Sequence, residues 1–324
     1  MEEVGRKNSV RKFGSRMSPS GLQSMIESMS SEQRQAVKDI GFGVFLELGF
    51  GALNNKLSLW LIENFDPYSR TLYVRDGKIT IDREDVQVTL GLPMGSKAVK
   101  EAIKDDDNEE YSILLEQWRS IWGLDKGSPK TTKMPERILT LGAEDDFKRS
   151  FVVFVVSSCL HGHKNQFCNY KILFSLMHTS EISQMDWCQY TIDCLIDAIL
   201  IWKKNPCGFT GSLLFLTLFY LDRVEFIGSQ IERKAPILCC WNAKAIEERC
   251  KAELKAGNFG FGRILPPIRI KSDVDTIIND IVPVHSTTND QGESSRKSTE
   301  LDYTGEKITL LLLAMTGYGP YTVS

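Results

Sequence analysis

The sequence has no Asn-x-Ser/Thr sequon, no Cys-x-x-Cys pair, only four histidines and no cysteine ahead of Cys159. Eight cysteines without a sequon fit a reducing compartment, and several fall inside apolar stretches, so buried free thiols are expected. Long hydrophobic runs are also missing. The stretches 151–160, 208–221 and 308–315 each end well short of the ~20 apolar residues that a bilayer span needs. The start, Met1-Glu2-Glu3 followed by Arg6, Lys7, Arg11, Lys12 and Arg16, lacks the apolar segment of a secretory leader. A net charge of -3 argues against a surface built throughout to hold nucleic acid. The expectation is a soluble, nuclear or otherwise cytoplasmic protein with no membrane partner.

What the 324 residues do contain is globular: 42% hydrophobic, 25% charged and 10% aromatic, enough to bury a sizeable core. Residues 1–17 are basic and polar and read as a disordered tail, one that offers nucleic acid a contact. From Ser18 helical spacing takes over. Ser20 is expected to cap a helix carrying Leu22, Met25, Ile26 and Met29, and residues 31–40 form a second helix. Residues 44–48 and 53–65 are apolar and helical, stopped by Asp66-Pro67. Residues 71–75 and 78–81 alternate around Asp76-Gly77 as a β-hairpin. Asp82, with Asp85 three residues on, caps a short helix that Gly91 and Pro93 end.

Residues 97–110 hold Asp105, Asp106, Asp107, Glu109 and Glu110 without an apolar face and read as an exposed acidic loop. Helices are expected at 114–122, 137–141, 145–160, 187–202, 211–222 and 243–256. From Lys271 the composition turns to Ser, Thr, Asn, Asp and Gln, a flexible polar tail containing the isolated apolar patch 308–315. The fold class is therefore mainly α (α+β): a multi-helix globular domain over 18–270 with one small β-hairpin, its subregions 18–96 and 109–270 lying either side of the acidic loop, and tails at 1–17 and 271–324.

Candidate chemistry is sparse. Gly91-x-x-x-Gly95-x-Lys97 has the wrong spacing and an internal proline for a phosphate loop, and Gly257 to Gly262 reads as a turn. Cys159, His161, His163 and Cys168 are the candidate metal ligands, since thiolate and imidazole donors lie close in sequence. Their spacing matches no common structural zinc pattern, and a helix-end loop is the expected reading. Cys188 with His178 lacks the surroundings of a cysteine peptidase. The acid pairs Glu84-Asp85, Asp145-Asp146 and Glu247-Glu248 suit helix starts or solvated faces. Lys203-Lys204 and Arg233-Lys234 are too short for a nucleic-acid surface, and the six tryptophans fall at core positions.

The order of segments is more informative. Residues 33–43 (QRQAVKDIGFG), 57–67 (LSLWLIENFDP), the hairpin, 81–93 (IDREDVQVTLGLP) and 212–224 (SLLFLTLFYLDRV) together resemble the aminotransferase-like plant mobile domain family, over about 18–262. The hairpin followed by DVxxxLGLP is the most specific element. The resemblance implies a mostly helical module found in stand-alone nuclear proteins and in transposon-derived genes, with relatives linked to transposable-element silencing and genome maintenance. It implies no aminotransferase activity: no Schiff-base lysine context is present, and the family offers no catalytic residues to carry over. The expectation is a noncatalytic nuclear interaction module with no cofactor and no small-molecule substrate, whose partners are nuclear or chromatin proteins. The alternative is the N-terminal half of a transposon-encoded ubiquitin-like-protein-specific cysteine protease lacking its catalytic domain.

Overall fold

The computed structural model describes residues 13–15, 17–103, 107–163, 165–226 and 231–269. The expectations for 1–12, for Asp105 and Asp106 and for the polar tail 271–324 with its patch 308–315 lie outside the described residues. All described residues belong to one compact unit, Met1–Ile270.

The architecture is mainly α. The first helices are α1 (Ser20–Glu27), α2 (Ser31–Asp39), α3 (Asn55–Glu63) and α4 (Arg83–Leu90). They are followed by α5 (Glu109–Ile121), α6 (Met134–Ile138), α7 (Asp145–Val155), α8 (Trp187–Lys204), α9 (Leu213–Arg223) and α10 (Ala243–Lys255). Side-chain caps set several of the starts. Ser30 and Gln33 form a reciprocal capping box on α2, and Asp82 and Asp85 form another on α4. At α1 the cap expectation fails: Pro19 occupies the N-cap without a side-chain bond, and Ser20 is the first helical residue.

Helix α9 is the centre. All eleven of its residues are buried, as suits a helix apolar on every side, and α3 and α4 pack on it while α8 packs on α4. Its N-cap, Ser212, accepts the Phe215 amide and donates to the Cys159 carbonyl, 2.7 Å away, fastening the start of α9 to the segment after α7. That segment, Val156–Leu160, is a π-turn rather than the continuation of α7 that 145–160 suggested.

Strands β1 (Phe65–Asp66), β2 (Thr71–Val74) and β3 (Gly77–Thr80) form one antiparallel sheet. The hairpin is where the sequence places it, but the turn is Arg75-Asp76: Gly77 already pairs with Val74. A Cβ at Gly77 would lie 2.7 Å from Ile264 Cδ1, so any side chain there would have to displace that methyl end. Strand β1 went unforeseen because α3 ends at Glu63, with Asn64 as its cap, rather than running to 65, and Asp66 turns the chain instead of stopping the helix. Its carboxylate accepts the amides of Tyr68 and Ser69, turning the chain back so that Phe65 pairs with Leu72.

The acidic loop is corrected in its first half. Residues Lys97–Ala98 form β4, parallel to β5 (Met185–Asp186), and Ser175 Oγ bonds both the amide and the carbonyl of Lys100. Ala102 is buried and its amide meets the Lys171 carbonyl. Asn108 then caps α5, which starts at Glu109. The N-terminal tail also ends earlier than 17. Phe13 meets Trp202 edge-on, Ser15 bridges Phe209 and Met17 is buried, so Phe13 to Met17 are already packed on the domain. Strands β6 (Val224–Glu225) and β7 (Arg263–Ile264) close the described chain, with the glycine turn 257–262 between α10 and β7.

Candidate functional site

A cleft of about 390 Å³ lies beside α8, lined by the segment after β4, by His161 and by Asp186, Gln189, Tyr190, Asp193, Cys194 and Asp197. Each element places its side chain for a local reason. The π-turn after α7 adds one residue to the helical register, and the His161 amide reaches the Val156 carbonyl at 2.7 Å. His161 also bridges Gly211, which fixes the backbone that carries the imidazole. Tyr190 and Cys194 stand one turn apart on α8, so they share a face. The pairing of β4 with β5 brings Glu101 to that face.

Glu101 is the hub. Its Oε1 accepts from His161 Nδ1 at 2.9 Å, from Tyr190 Oη at 2.7 Å and from Asn169 Nδ2 at 2.7 Å. Burial alone would raise the Glu101 carboxyl, but the hydrogen bond and charge of His161, with the bonds from Tyr190 and Asn169, hold it down at about 2. Burial would likewise lower the His161 imidazole; Cys194 and Glu101 override it and push His161 up to about 10. Burial, helped by the nearby Cys194 and Glu101, drives the Tyr190 phenol well above its usual range. At neutral pH the pair is thus an imidazolium on a carboxylate, with Tyr190 a neutral donor. Glu101, His161 and Cys194 each offer a metal-ligating atom, and these atoms lie within 4.8 Å of one another.

Of the four residues that the sequence grouped as candidate ligands, the structure brings only His161 to this cleft. Cys159 is buried in the core, where burial drives its thiol far above the usual range. His163 and Cys168 line a separate hollow of about 530 Å³ with Phe167, Tyr170, Lys126 and Lys171. Burial pushes the Cys168 thiol up to about 12, which leaves it a poor ligand. The sequence grouping fails because the π-turn and the bridge at Gly211 separate neighbours in the chain. Glu101 and Cys194 were missed, being 60 residues before His161 and 33 after it; the one local signal was the Tyr190–Cys194 spacing on a polar stripe with Asp193 and Asp197.

The remaining candidates have other partners. Cys188 donates to the Leu92 carbonyl, whereas His178 faces Glu110 at 3.8 Å. All eight cysteines are free; Cys159, Cys168, Cys188, Cys194 and Cys250 are buried, but Cys207 and Cys239 are exposed and Cys240 is partly so. Asp145 and Asp146 sit in the first turn of α7 beside Arg149. Glu247 pairs with Lys251 on the solvent face of α10, while Asp85 is buried against Arg223. Arg233 is not part of a basic surface, because it grips Asp222 with two bonds of 2.7 Å. Trp118, Trp187 and Trp241 are buried and Trp60, Trp122 and Trp202 pack against the core. Among the described residues no helix is long and apolar enough to cross a membrane.

Comparison with known proteins supplies the rest. A family described as Domain of unknown function (DUF8566) matches residues 15–217. Protein MAINTENANCE OF MERISTEMS from Arabidopsis thaliana is 25% identical over 143 residues, a stretch covering 41% of this chain and 29% of that protein's length. No solved structure matches.

Proposed function

The chain belongs to the DUF8566 family, a domain of unknown function, and on that premise we propose that it is a noncatalytic, nuclear protein-interaction module of the plant mobile domain type. Its partners on this reading are nuclear or chromatin proteins, and its role lies in transposable-element silencing or genome maintenance. The similarity to MAINTENANCE OF MERISTEMS carries the reading, since it joins this chain to the group that its hairpin and DVxxxLGLP segment resemble.

Two structural features support it. Tyr68 and Tyr73, at the hairpin, are 85% and 48% exposed, and tyrosines presented in this way supply contact area at low entropic cost. In the cleft, His161 Nδ1 is paired with the Glu101 carboxylate at 2.9 Å, and Cys194 and Glu101 together push its imidazole up, which favours the protonated form over that of a free general base. Affinity purification of the tagged chain from nuclear extract, with mass spectrometry of nuclease-resistant partners, tests the reading. The expected result is a reproducible set of silencing or chromatin proteins that is lost with Tyr68→Ser/Tyr73→Ser while the fold is kept. An unfolded Leu216→Asp control sets the background, because Leu216 is fully buried in α9 and an unpaired charge there is strongly penalised. Recovery of the same proteins with that control, or no specific partner, overturns the proposal.

A further inference from the structure

The cleft gathers three unlike donors, a carboxylate, an imidazole and a thiol, from three separate stretches of chain, with their ligating atoms within 4.8 Å of one another. A tetrahedral zinc ion holds such donors about 3.3–3.6 Å apart. Closing the set around one ion therefore moves no donor pair by more than about 1.5 Å. The supports are already in place. Tyr190 and Asn169 both donate to Glu101 Oε1, and Oε2 makes no hydrogen bond among the described residues. The imidazole backbone is pinned at Val156 and Gly211. Side-chain exposures of 25% for Glu101 and 30% for His161 leave an entry route and room for a fourth ligand. Asp186, Asp193 and Asp197 line the same cleft and add negative field at its mouth.

We propose that Glu101, His161 and Cys194 form a binding site for a single zinc-class divalent ion, with the fourth coordination position open to the cleft and Tyr190 and Asn169 as positioning residues. Softness of the thiolate and the small donor count favour zinc over magnesium or calcium, which take oxygen donors. Bound there, the ion ties the β4 segment to the π-turn and to α8.

The test uses the full chain, reduced and stripped with a chelator, then titrated separately with zinc and with cobalt(II). The expected result is one zinc bound per chain and a thiolate-to-cobalt charge-transfer band that Cys194→Ser abolishes and Cys239→Ser/Cys240→Ser leaves intact. Glu101→Gln and His161→Gln each weaken zinc binding at least about tenfold, and Tyr190→Phe weakens it about 10–100-fold. Should Cys194→Ser fail to fold, alkylation of the unaltered chain replaces it, and zinc then protects Cys194 as mapped by mass spectrometry. A folded chain that takes up no stoichiometric zinc, a cobalt band that survives Cys194→Ser, or alkylation of Cys194 unaffected by zinc overturns the proposal.

Discussion

Asp85, in the first turn of α4, and Arg223, the last residue of α9, form a buried ion pair with Nη1 3.2 Å from Oδ1. Both are more than saline contacts. Asp85 also accepts the Asp82 amide at 3.0 Å in the capping box, and Arg223 Nε donates to the Leu265 carbonyl at 2.9 Å. One pair therefore joins the start of the helix after the hairpin, the end of the central helix and the last described segment of the chain.

Removing one partner strands the other. Arg223→Ala leaves the buried Asp85 carboxylate without its cation and the Leu265 carbonyl without its donor, and a buried pair broken from one side loses about 3–5 kcal/mol. The expected outcome is an unfolding free energy lowered by that amount, read from the denaturation curve. A loss below about 1 kcal/mol would place the pair in the class of exposed salt bridges.

The same carboxyl gives stability a pH dependence. Burial pushes Asp85 up to about 6, above the unfolded value near 3.9, even though Arg223 and the Asp82 amide pull it down. A raised carboxyl binds its proton more tightly when folded. Its contribution is therefore present below about pH 4 and is lost as pH climbs through about 6, with a slope of at most about 1.4 kcal/mol per pH unit. Urea midpoints of the native chain minus those of Asp85→Asn should decline between pH 4 and 6 and level off above. A difference that rises over this range would show that the ion pair outweighs burial.

How far the sequence reveals this molecule depends on the distance over which each feature is decided. Caps and stops are settled within four residues, so Asp82, Asp85 and Gly91 announce α4 directly, whereas Asp66-Pro67 marks the end of α3 too late: the helix stops at Glu63 and Phe65–Asp66 pair with β2. The interior of α9 is equally plain, because 212–224 has no polar face to turn outward. Short pairings are harder to see. Strands β4 and β5 are two residues each and 88 residues apart at Lys97 and Met185, and no periodicity fits in so short a run. The cleft is harder still. Sequence proximity gathered Cys159, His161, His163 and Cys168, but a π-turn sends Cys159 into the core and only His161 to the Glu101 carboxylate.

Gly91 is a position where backbone conformation and space agree. It ends α4 at φ 62°, the left-handed region, and a Cβ there would sit 2.4 Å from Val44 Cγ2. Conformation alone costs a non-glycine residue about 1–2 kcal/mol, before Val44 is displaced. Gly91→Ala should therefore lower thermal stability by at least that amount, whereas Gly123→Ala, at the same φ with nothing within 4 Å, should show the conformational part only. Equal losses at the two positions would remove Val44 from the account.

Tyr220 offers the sharpest test of how α10 and the turn 257–262 are fixed. Its hydroxyl donates to the buried Glu253 carboxylate of α10 and accepts the Gly260 amide at 2.8 Å, while Arg249 pairs with the other Glu253 oxygen. Burial and the negative charge of Glu253 drive the phenol far above its usual range, which keeps it a neutral donor at neutral pH. Tyr220→Phe keeps the ring against Trp60 but deletes both bonds, leaving a buried carboxylate oxygen and the Gly260 amide unpaired. Each unsatisfied group costs about 1–3 kcal/mol, more where a charge is involved. Gly260 also meets the hairpin turn through its carbonyl, which accepts the Arg75 amide at 3.1 Å. The loss should therefore spread locally: hydrogen exchange is expected to quicken at the Gly260 and Arg75 amides while amides deep in α9 keep their protection. Exchange unchanged at Gly260 and Arg75 would mean that the turn holds without the hydroxyl, and that α10 rests on the Arg249–Glu253 pair alone.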